Sequence, residues 1–230
     1  MSDISYSAII LAAGEGSRLA ANGVPRFFKP LLQVNGKFLI EHSLDFARQW
    51  GINIEIIVTS AVLKPILSES VSKDSIYYFQ PEPTGLMDAI RIAMKSVRSD
   101  YVLILCADNT YGKISPEEIK REFEEKRGPN QSAVVTNIFQ DVETRKRLTG
   151  FGDGRLVPRG LEICKSNWMG PLIIHVPSLN NRLASLTSED VLKTILLEQH
   201  LNEAVYNNFL ELKGDCVDWG VLTGKENIVE

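Results

Sequence analysis

The segment Leu11-Ala12-Ala13-Gly14-Glu15-Gly16-Ser17-Arg18-Leu19 brings two glycines, a hydroxyl and a guanidinium together within a few residues. Phosphate is the natural guest of such a loop. Glycines let backbone N–H groups approach an oxyanion with no Cβ in the way, and arginine adds a planar, permanently charged fork to phosphate oxygens. Two other phosphate loops are excluded by letter. A dinucleotide-binding G-x-G-x-x-G needs glycine where Leu19 stands, and no Gly-Lys-Ser/Thr of a Walker loop occurs in the chain. Taken alone, Gly14, Gly16 and Arg18 also suit a tight turn with a surface arginine. A second candidate is Asp108, which follows the apolar run Tyr101–Cys106 and precedes Asn109. The pair reads either as ordinary turn formers or as a carboxylate set at a strand end to hold a cation.

These residues depend on the elements behind them. Ser7–Ala12 is a short apolar run ended by Gly14, which predicts a buried strand feeding a glycine turn. Ile40, Leu44 and Ala47 recur at helical spacing within 38–49, and Ile54–Thr59 is a second apolar run. After Gly85, Leu86, Ala89, Ile90, Ala93, Met94 and Val97 share one helical face and lead into Tyr101–Cys106, apolar enough for the centre of a sheet. Strands alternating with helices predict a three-layer α/β/α fold with a mostly parallel, mixed central sheet of Rossmann-like type. In such sheets ligands sit beyond the carboxyl ends of the strands, where both Gly14 and Asp108 fall.

Further along, the pattern predicts a charged helix over Pro116–Lys126. Strands follow over Ser132–Phe139 and Met169–Val176, separated by the polar, glycine-rich stretch Thr149–Arg159. A helix over Ser188–His200, a strand over Phe209–Lys213 and a terminal helix after Thr223 complete the reading. Tyr77-Tyr78 reads as sheet core and edge. With no linker-like segment or internal repeat, residues 1–230 are expected to form a single domain.

Composition narrows the classes. Of 230 residues, 44% are hydrophobic and 23% charged, which excludes a disordered, collagenous or coiled-coil chain. Lys and Arg number 25 against 29 Asp and Glu, a net charge of -4, so no overall positive field draws the chain to nucleic acid or an anionic membrane. Neither is an expected partner. No apolar run approaches the roughly 18–20 residues that span a bilayer, and the start lacks a secretory pattern, so a cytoplasmic location is expected. Cys106, Cys164 and Cys216 are widely spaced and form no C-x-x-C pair, arguing against disulfides and a thiolate zinc site. His42, His175 and His200 belong to no Ser/His/Asp arrangement.

Several motifs agree on one family. The runs LAAGEGSRL and FKPLLQVNGKFLIEHSL resemble the opening of the sugar-phosphate nucleotidyltransferases, whose pattern runs L-A-A-G-x-G-[ST]-R-L and then P-K-x-L-x-x-V-x-x-K-P-L-I. FQPEPTGLMDAI is similar to the family's base-contacting segment, with Gln80 and Gly85 at its Gln and Gly, and LCADNTYG resembles its G-D-N metal segment. LEICKSNWMGPLIIHV resembles the sugar-binding stretch, and VDWGVLTGKENI the segment carrying a second metal carboxylate. The matches follow the family's order across most of residues 7–228.

The resemblance implies a GT-A-type nucleotidyltransferase fold. It also implies Mg²⁺-dependent, in-line transfer of a nucleoside monophosphate from a nucleoside triphosphate to a sugar 1-phosphate, releasing pyrophosphate. An amide such as Gln80 offers both donor and acceptor to a pyrimidine edge, and the resemblance favours UTP or dTTP, because relatives with this Gln and Gly-Leu arrangement mostly use them; CTP stays open, since Asp88 stands where relatives often carry Gln or His. Leu11, Ala12, Ala13, Gly14, Glu15, Gly16, Ser17, Arg18, Gln80 and Gly85 would bind the nucleotide, with Arg18 and Lys29 catalytic. Asp108 and Asp218 would hold Mg²⁺, and Asn109, Gly150, Glu162 and Lys165 would meet the sugar phosphate.

Departures from the pattern leave alternatives. Phe28 replaces the proline before Lys29, so Arg26 competes for the cationic role, and Ala107 replaces the glycine before Asp108. The Glu-Lys-Pro sugar motif is shortened to Glu162-Ile163-Cys164-Lys165. Asp218 is either a metal ligand or a turn cap; Lys29 also suits a solvated loop, Glu162 and Lys165 an exposed pair, and Gln80 a strand-end hydrogen bonder. A cytidylyltransferase for a non-sugar phosphate such as phosphocholine and a non-catalytic nucleotide-binding regulator are the competing functions. A glycosyltransferase is disfavoured because Asp108-Asn109-Thr110 lacks the second aspartate of Asp-x-Asp. The oligomeric state is open, with a homodimer among the candidates.

Overall fold

The computed structural model of the chain describes residues 4–16, 20, 23–82, 84–111, 115–138, 142–160, 164, 166–186, 197–205, 208–214 and 216–219. The predicted apolar runs become adjacent strands: β1 (Tyr6–Ala12) lies between β4 (Glu55–Thr59) and β6 (Tyr101–Cys106), parallel to both. The short hairpin β2 (Gln33–Val34) and β3 (Lys37–Phe38) stands apart from that sheet. Strand β5 (Ile76–Phe79) extends the sheet parallel to β4 and forms its edge, as Tyr77-Tyr78 led us to expect.

On the other side of β6 the direction reverses. The long strand β11 (Ser166–His175) runs antiparallel to β6 and also carries β9 (Gly150–Gly152) and β8 (Ala133–Asn137), while β10 (Arg155–Val157) pairs with β9 and β12 (Leu210–Lys213) runs parallel to β8. The main order is β10-β9-β11-β6-β1-β4-β5, with β8 and β12 branching from β11. Beyond β6, a two-stranded ribbon pairs β7 (Asn109–Thr110) with β13 (Val217–Asp218).

Helices cover both faces. On one side α1 (Leu39–Gln49) buries Ile40, Leu44 and Ala47, and α4 (Pro116–Lys126) buries Ile119 and Phe123 against Ile10, Leu103 and Leu105. On the other, α3 (Leu86–Ala93) packs Ala89, Ile90 and Ala93 against Ile9, Val58 and Ile104. The periodic residues of α3 thus meet the sheet, each fully buried aliphatic side chain stabilising by about 1.5–3 kcal/mol. Helix α4 begins as its sequence dictates: Ser115 Oγ accepts the N–H of Glu118 at 3.3 Å and Pro116 fills the first turn, where a missing N–H costs little. The result is the expected three-layer architecture around a mixed sheet.

Several elements departed from or went beyond the sequence reading. Thr149–Arg159 contains the β9–β10 hairpin, closed by Asp153-Gly154 with φ values of 49° and 72°, the left-handed pair that a two-residue hairpin turn demands. Helix α2 (Leu63–Ser70) and the short α5 (Val142–Arg147) had no expectation attached. Helix α6 (Val176–Ala184) starts directly at the end of β11, without turn residues to announce it, and Pro177 sits in its first turn. Helix α7 (Leu197–Ala204) coincides with the end of the expected Ser188–His200 helix and continues past it. Residues 188–196 and the helix expected after Thr223 lie outside the described residues, as does Phe139. Among the described residues no helix is long and apolar enough to cross a membrane.

Candidate active site

Strand pairing sets the polar residues in a row. Leu11 is opposite Cys106 and Ala12 opposite Thr59; Ala107 N–H then donates to Leu11 O at 3.1 Å, and Gln80 N–H to Thr59 O at 2.9 Å. The glycine turn after β1 and the Asp108 turn after β6 therefore leave the same carboxyl edge side by side, and Gln80 leaves it one strand further along, across β4. Leu11, Ala12 and Ala13 have buried side chains, so only the main chain there can meet a ligand.

A Cβ placed on Gly14 would meet nothing among the described residues within 4 Å. Gly16, at φ +64°, lies against Lys29, where an added Cβ would come within 3.4 Å of the lysine Cβ. The loop is fixed further by Phe27 N–H donating to Glu15 O at 3.0 Å. Lys29 opens a short 3-10 helix, Lys29–Leu31, and its ammonium forms an ion pair with Asp108 Oδ2. The two side chains are 12% and 28% exposed, so the pair is shielded but reachable. Arg26, the rival cation, is exposed. Ser17 and Arg18 lie outside the described residues.

The β7–β13 ribbon draws the second predicted carboxylate close. Asn109 is opposite Asp218, Trp219 N–H donates to Asp108 O at 3.1 Å, and Trp219 Nε1–H donates to Thr110 Oγ1 at 3.1 Å. The two aspartates, 110 positions apart in sequence (218 − 108), thus have neighbouring backbones; the Asp218 side chain itself is outside the description. Tyr111 lies buried beneath, its ring 4.6 Å from that of Phe46, and burial pushes its hydroxyl far above the usual phenol range.

This donor set fits Mg²⁺, a hard cation held by one or two carboxylates plus substrate phosphates. Asp108 already faces a cation, the Lys29 ammonium. Among the described residues no group of three or more His, Cys, Asp or Glu converges, so two carboxylates would need phosphate oxygens to complete the shell.

Gln80 is buried and its amide nitrogen is fully engaged. Nε2–H groups point to Thr84 Oγ1 at 2.9 Å, Asp88 Oδ2 at 3.0 Å and Gly85 O at 3.1 Å. Gly85 adopts φ +108°, a conformation suited to glycine, and opens α3 there. Asp88, in the first turn of α3, also accepts from Thr84 Oγ1 at 2.6 Å and from Arg91 Nη2 at 2.6 Å. Burial acts to raise the Asp88 pKa, but hydrogen bonds from Thr84, Gln80 and Arg91 outweigh it and hold the carboxyl below the ordinary range.

The acceptor-side residues are less gathered. Asn109 is buried within the ribbon. Gly150 faces Cys164, whose Sγ would lie 2.6 Å from an added Cβ, so packing alone accounts for its being glycine. Glu162 and Lys165 lie outside the described residues. The sequence missed a polar cluster nearby, where Thr136 near the end of β8 and Ser166 at the start of β11 meet Glu211 and Lys213 of β12. There Glu211 Oε1 accepts from Ser166 Oγ at 2.7 Å and Thr136 Oγ1 at 2.8 Å, and pairs with Lys213. Its only sequence signal was the alternation of Glu211 and Lys213 with the apolar Leu210 and Leu212. Missed too was the convergence of Thr84, Asp88 and Arg91, whose i, i+4 and i+3 spacing around a helix start carries the signal.

A glycine turn, a lysine and a strand-end carboxylate thus adjoin on the carboxyl edge of an α/β/α sheet, where ligands of such sheets sit. The chain belongs to the MobA-like NTP transferase domain family, whose model matches residues 8–204. The resemblance to sugar-phosphate nucleotidyltransferases holds at the family level. The bifunctional protein GlmU of Staphylococcus haemolyticus is 26% identical over 153 residues, 66% of this chain and 31% of that protein. GlmU of Azorhizobium caulinodans is 30% identical over 166 residues, 70% of this chain and 34% of its own. The chain thus spans about a third of the length of these curated relatives.

Two solved structures share the fold. One, from Bacillus anthracis, is assigned as a glucose-1-phosphate thymidylyltransferase in complex with a sucrose; its TM-score is 0.74 at 19% identity, over 94% of this chain and 90% of that one. The other is the UDP-glucose pyrophosphorylase from Acinetobacter baumanii, with a TM-score of 0.67 at 17% identity, over 94% and 88%.

Proposed function

We propose that this chain transfers a nucleoside monophosphate from UTP or dTTP to a sugar 1-phosphate, giving a nucleotide sugar and pyrophosphate. The observation that carries this reading is the contact between Gly16, Lys29 and Asp108 at the adjoining ends of β1 and β6. The named activities of the two structural neighbours, thymidylyl transfer and UDP-glucose synthesis, favour the same substrates.

The reaction brings two anions together, and lowering their repulsion is what the protein must do. A phosphate oxygen of the sugar substrate forms a bond to the α-phosphorus while the bond from that phosphorus to the bridging oxygen breaks, and pyrophosphate leaves with the electron pair. Main-chain N–H groups from Leu11 to Ser17 cradle the triphosphate, with Gly14 and Gly16 allowing close approach. Arg18 neutralises the leaving pyrophosphate. Lys29 exchanges its Asp108 partner for the α-phosphate oxygens, where negative charge grows. Members of this family typically work with a divalent metal; bound between Asp108 and Asp218, Mg²⁺ would supply charge neutralisation and a template for the phosphates. Gln80 and Gly85 hold the base, while Asn109, Gly150, Glu162 and Lys165 receive the sugar phosphate.

The test is pyrophosphate release from purified protein with Mg²⁺, each triphosphate in turn and a panel of phosphate esters. Release with UTP or dTTP and a sugar 1-phosphate is expected. Release only with CTP and a phosphocholine-like acceptor would replace the sugar reading, and none with any pair would leave a nucleotide-binding regulator.

A further inference from the structure

The Gln80 amide is asymmetric in what it can still offer. A primary amide has two N–H donors on its nitrogen and an acceptor oxygen. Around Gln80, every partner of the nitrogen accepts: the Gly85 carbonyl has no proton, the Asp88 carboxylate is ionised, and the Thr84 hydroxyl spends its own proton on Asp88 at 2.6 Å. Both donors are therefore committed. Turning the amide over would set its oxygen against Asp88 Oδ2 at a separation of 3.0 Å, lone pair to lone pair, in a buried setting. Asp88 cannot swing away freely, because Arg91 grips its other oxygen through Nη2 at 2.6 Å and Nε at 3.2 Å. The expectation that Gln80 serves a base with donor and acceptor alike is thus corrected: only Oε1 remains.

We infer that Asp88 is a positioning residue for base selection, holding the Gln80 amide so that Oε1 accepts an N–H from the imide edge of uracil or thymine and repels the bare N3 of cytosine. The inference rests on the proposed nucleotide role of Gln80. Location supports it: Gln80 is hydrogen-bonded to Thr59, and Thr59 pairs with Ala12, the last strand residue before the glycine turn. Base and triphosphate would lie along one edge. The low pKa of Asp88 fits as well, since the lock needs a carboxylate that stays ionised.

Calorimetric titration of the full chain with UTP, CTP and N3-methyl-UTP in Mg²⁺ tests this. A buried acceptor left facing an acceptor or a methyl group discriminates by about tenfold or more, so wild type should bind UTP over both CTP and N3-methyl-UTP by at least that factor. In Asp88→Asn the Gln80 amide can reverse, because the substituted side chain brings a donor of its own, and the UTP-to-CTP affinity ratio should fall about tenfold while UTP binding persists. A purely structural Asp88 would weaken both nucleotides together and leave the ratio unchanged, which overturns the inference. Equal binding of UTP and N3-methyl-UTP by wild type overturns it too, and that arm needs no folded variant. Pyrophosphate release with equal use of UTP and CTP sinks this inference alone. Intact binding ratios without pyrophosphate sink the enzyme reading alone.

Discussion

Glycines in the two halves of the sheet do opposite work. Gly14, after β1, has no described residue within 4 Å of an added Cβ, so its missing side chain leaves room for something outside the protein, whereas Gly16 closes onto the Lys29 stem. Gly150, Gly154 and Gly170, among β9 to β11, are filled by the protein itself. An added Cβ would lie 2.6 Å from Cys164 Sγ, 2.4 Å from Asn208 Cβ and 2.7 Å from Val135 Cβ respectively. The half proposed to hold the nucleotide thus leaves Gly14 open, and the half proposed to hold the acceptor uses glycine to close an antiparallel, bulged sheet around β11. A glycine's letter says nothing about which use applies; its neighbours do.

The contrast between the halves is broken most sharply at Lys29, the residue Gly16 lies against. Lys29→Ala should lower turnover by about a hundredfold or more, the scale of removing one preorganised electrostatic contact, with little change in thermal unfolding. On the acceptor side the effect moves from chemistry to stability. Gly170→Ala forces a methyl group into Val135 and should cost about 1–3 kcal/mol in urea unfolding, the range for overpacking. Glu211→Gln should act more weakly and depend on pH. Burial raises the Glu211 pKa, but hydrogen bonds from Lys213, Ser166 and Thr136 outweigh it and leave the folded value depressed. Its contribution is therefore present above the ordinary glutamate pKa of about 4.3 and disappears as acid takes the pH below the folded value, so wild type and variant should converge in acid unfolding. Smallest of all, Arg26→Ala should change turnover by less than about threefold, because an exposed arginine away from the ion pair supplies little. A large loss there would return the cationic role to Arg26.

The same contrast explains what the residues foretold. Strands β1 and β6 are buried on both faces, so their continuous apolar runs read clearly, and the helical spacing of Ile40, Leu44 and Ala47 was as plain. Gly14 and Asp108 were legible because each directly follows such a run. Glu211 was not, since its partners Thr136 and Ser166 stand 75 and 45 residues away and only sheet pairing unites them. Asp88 was read only as a departure from its relatives' Gln or His; its spacing to Thr84 and Arg91 was in the sequence, but its contact with the Gln80 amide, eight positions back, follows from the fold alone. The Asp153-Gly154 turn was read only as part of a polar, glycine-rich stretch, because the short, glycine-interrupted strands around it lack the alternation that identifies a hairpin.

All of this depends on the glycine turn, Lys29 and the Asp108–Asp218 ribbon forming one charged centre for a triphosphate. Calorimetric binding of UTP in Mg²⁺ by wild type and Asp108→Asn measures that dependence, with thermal unfolding as a check on the fold. The variant should keep an intact fold and bind about tenfold or more weakly, as expected when a charged ligand group is removed from a shielded site. Equal, Mg²⁺-dependent affinity in the two proteins would contradict a shared centre.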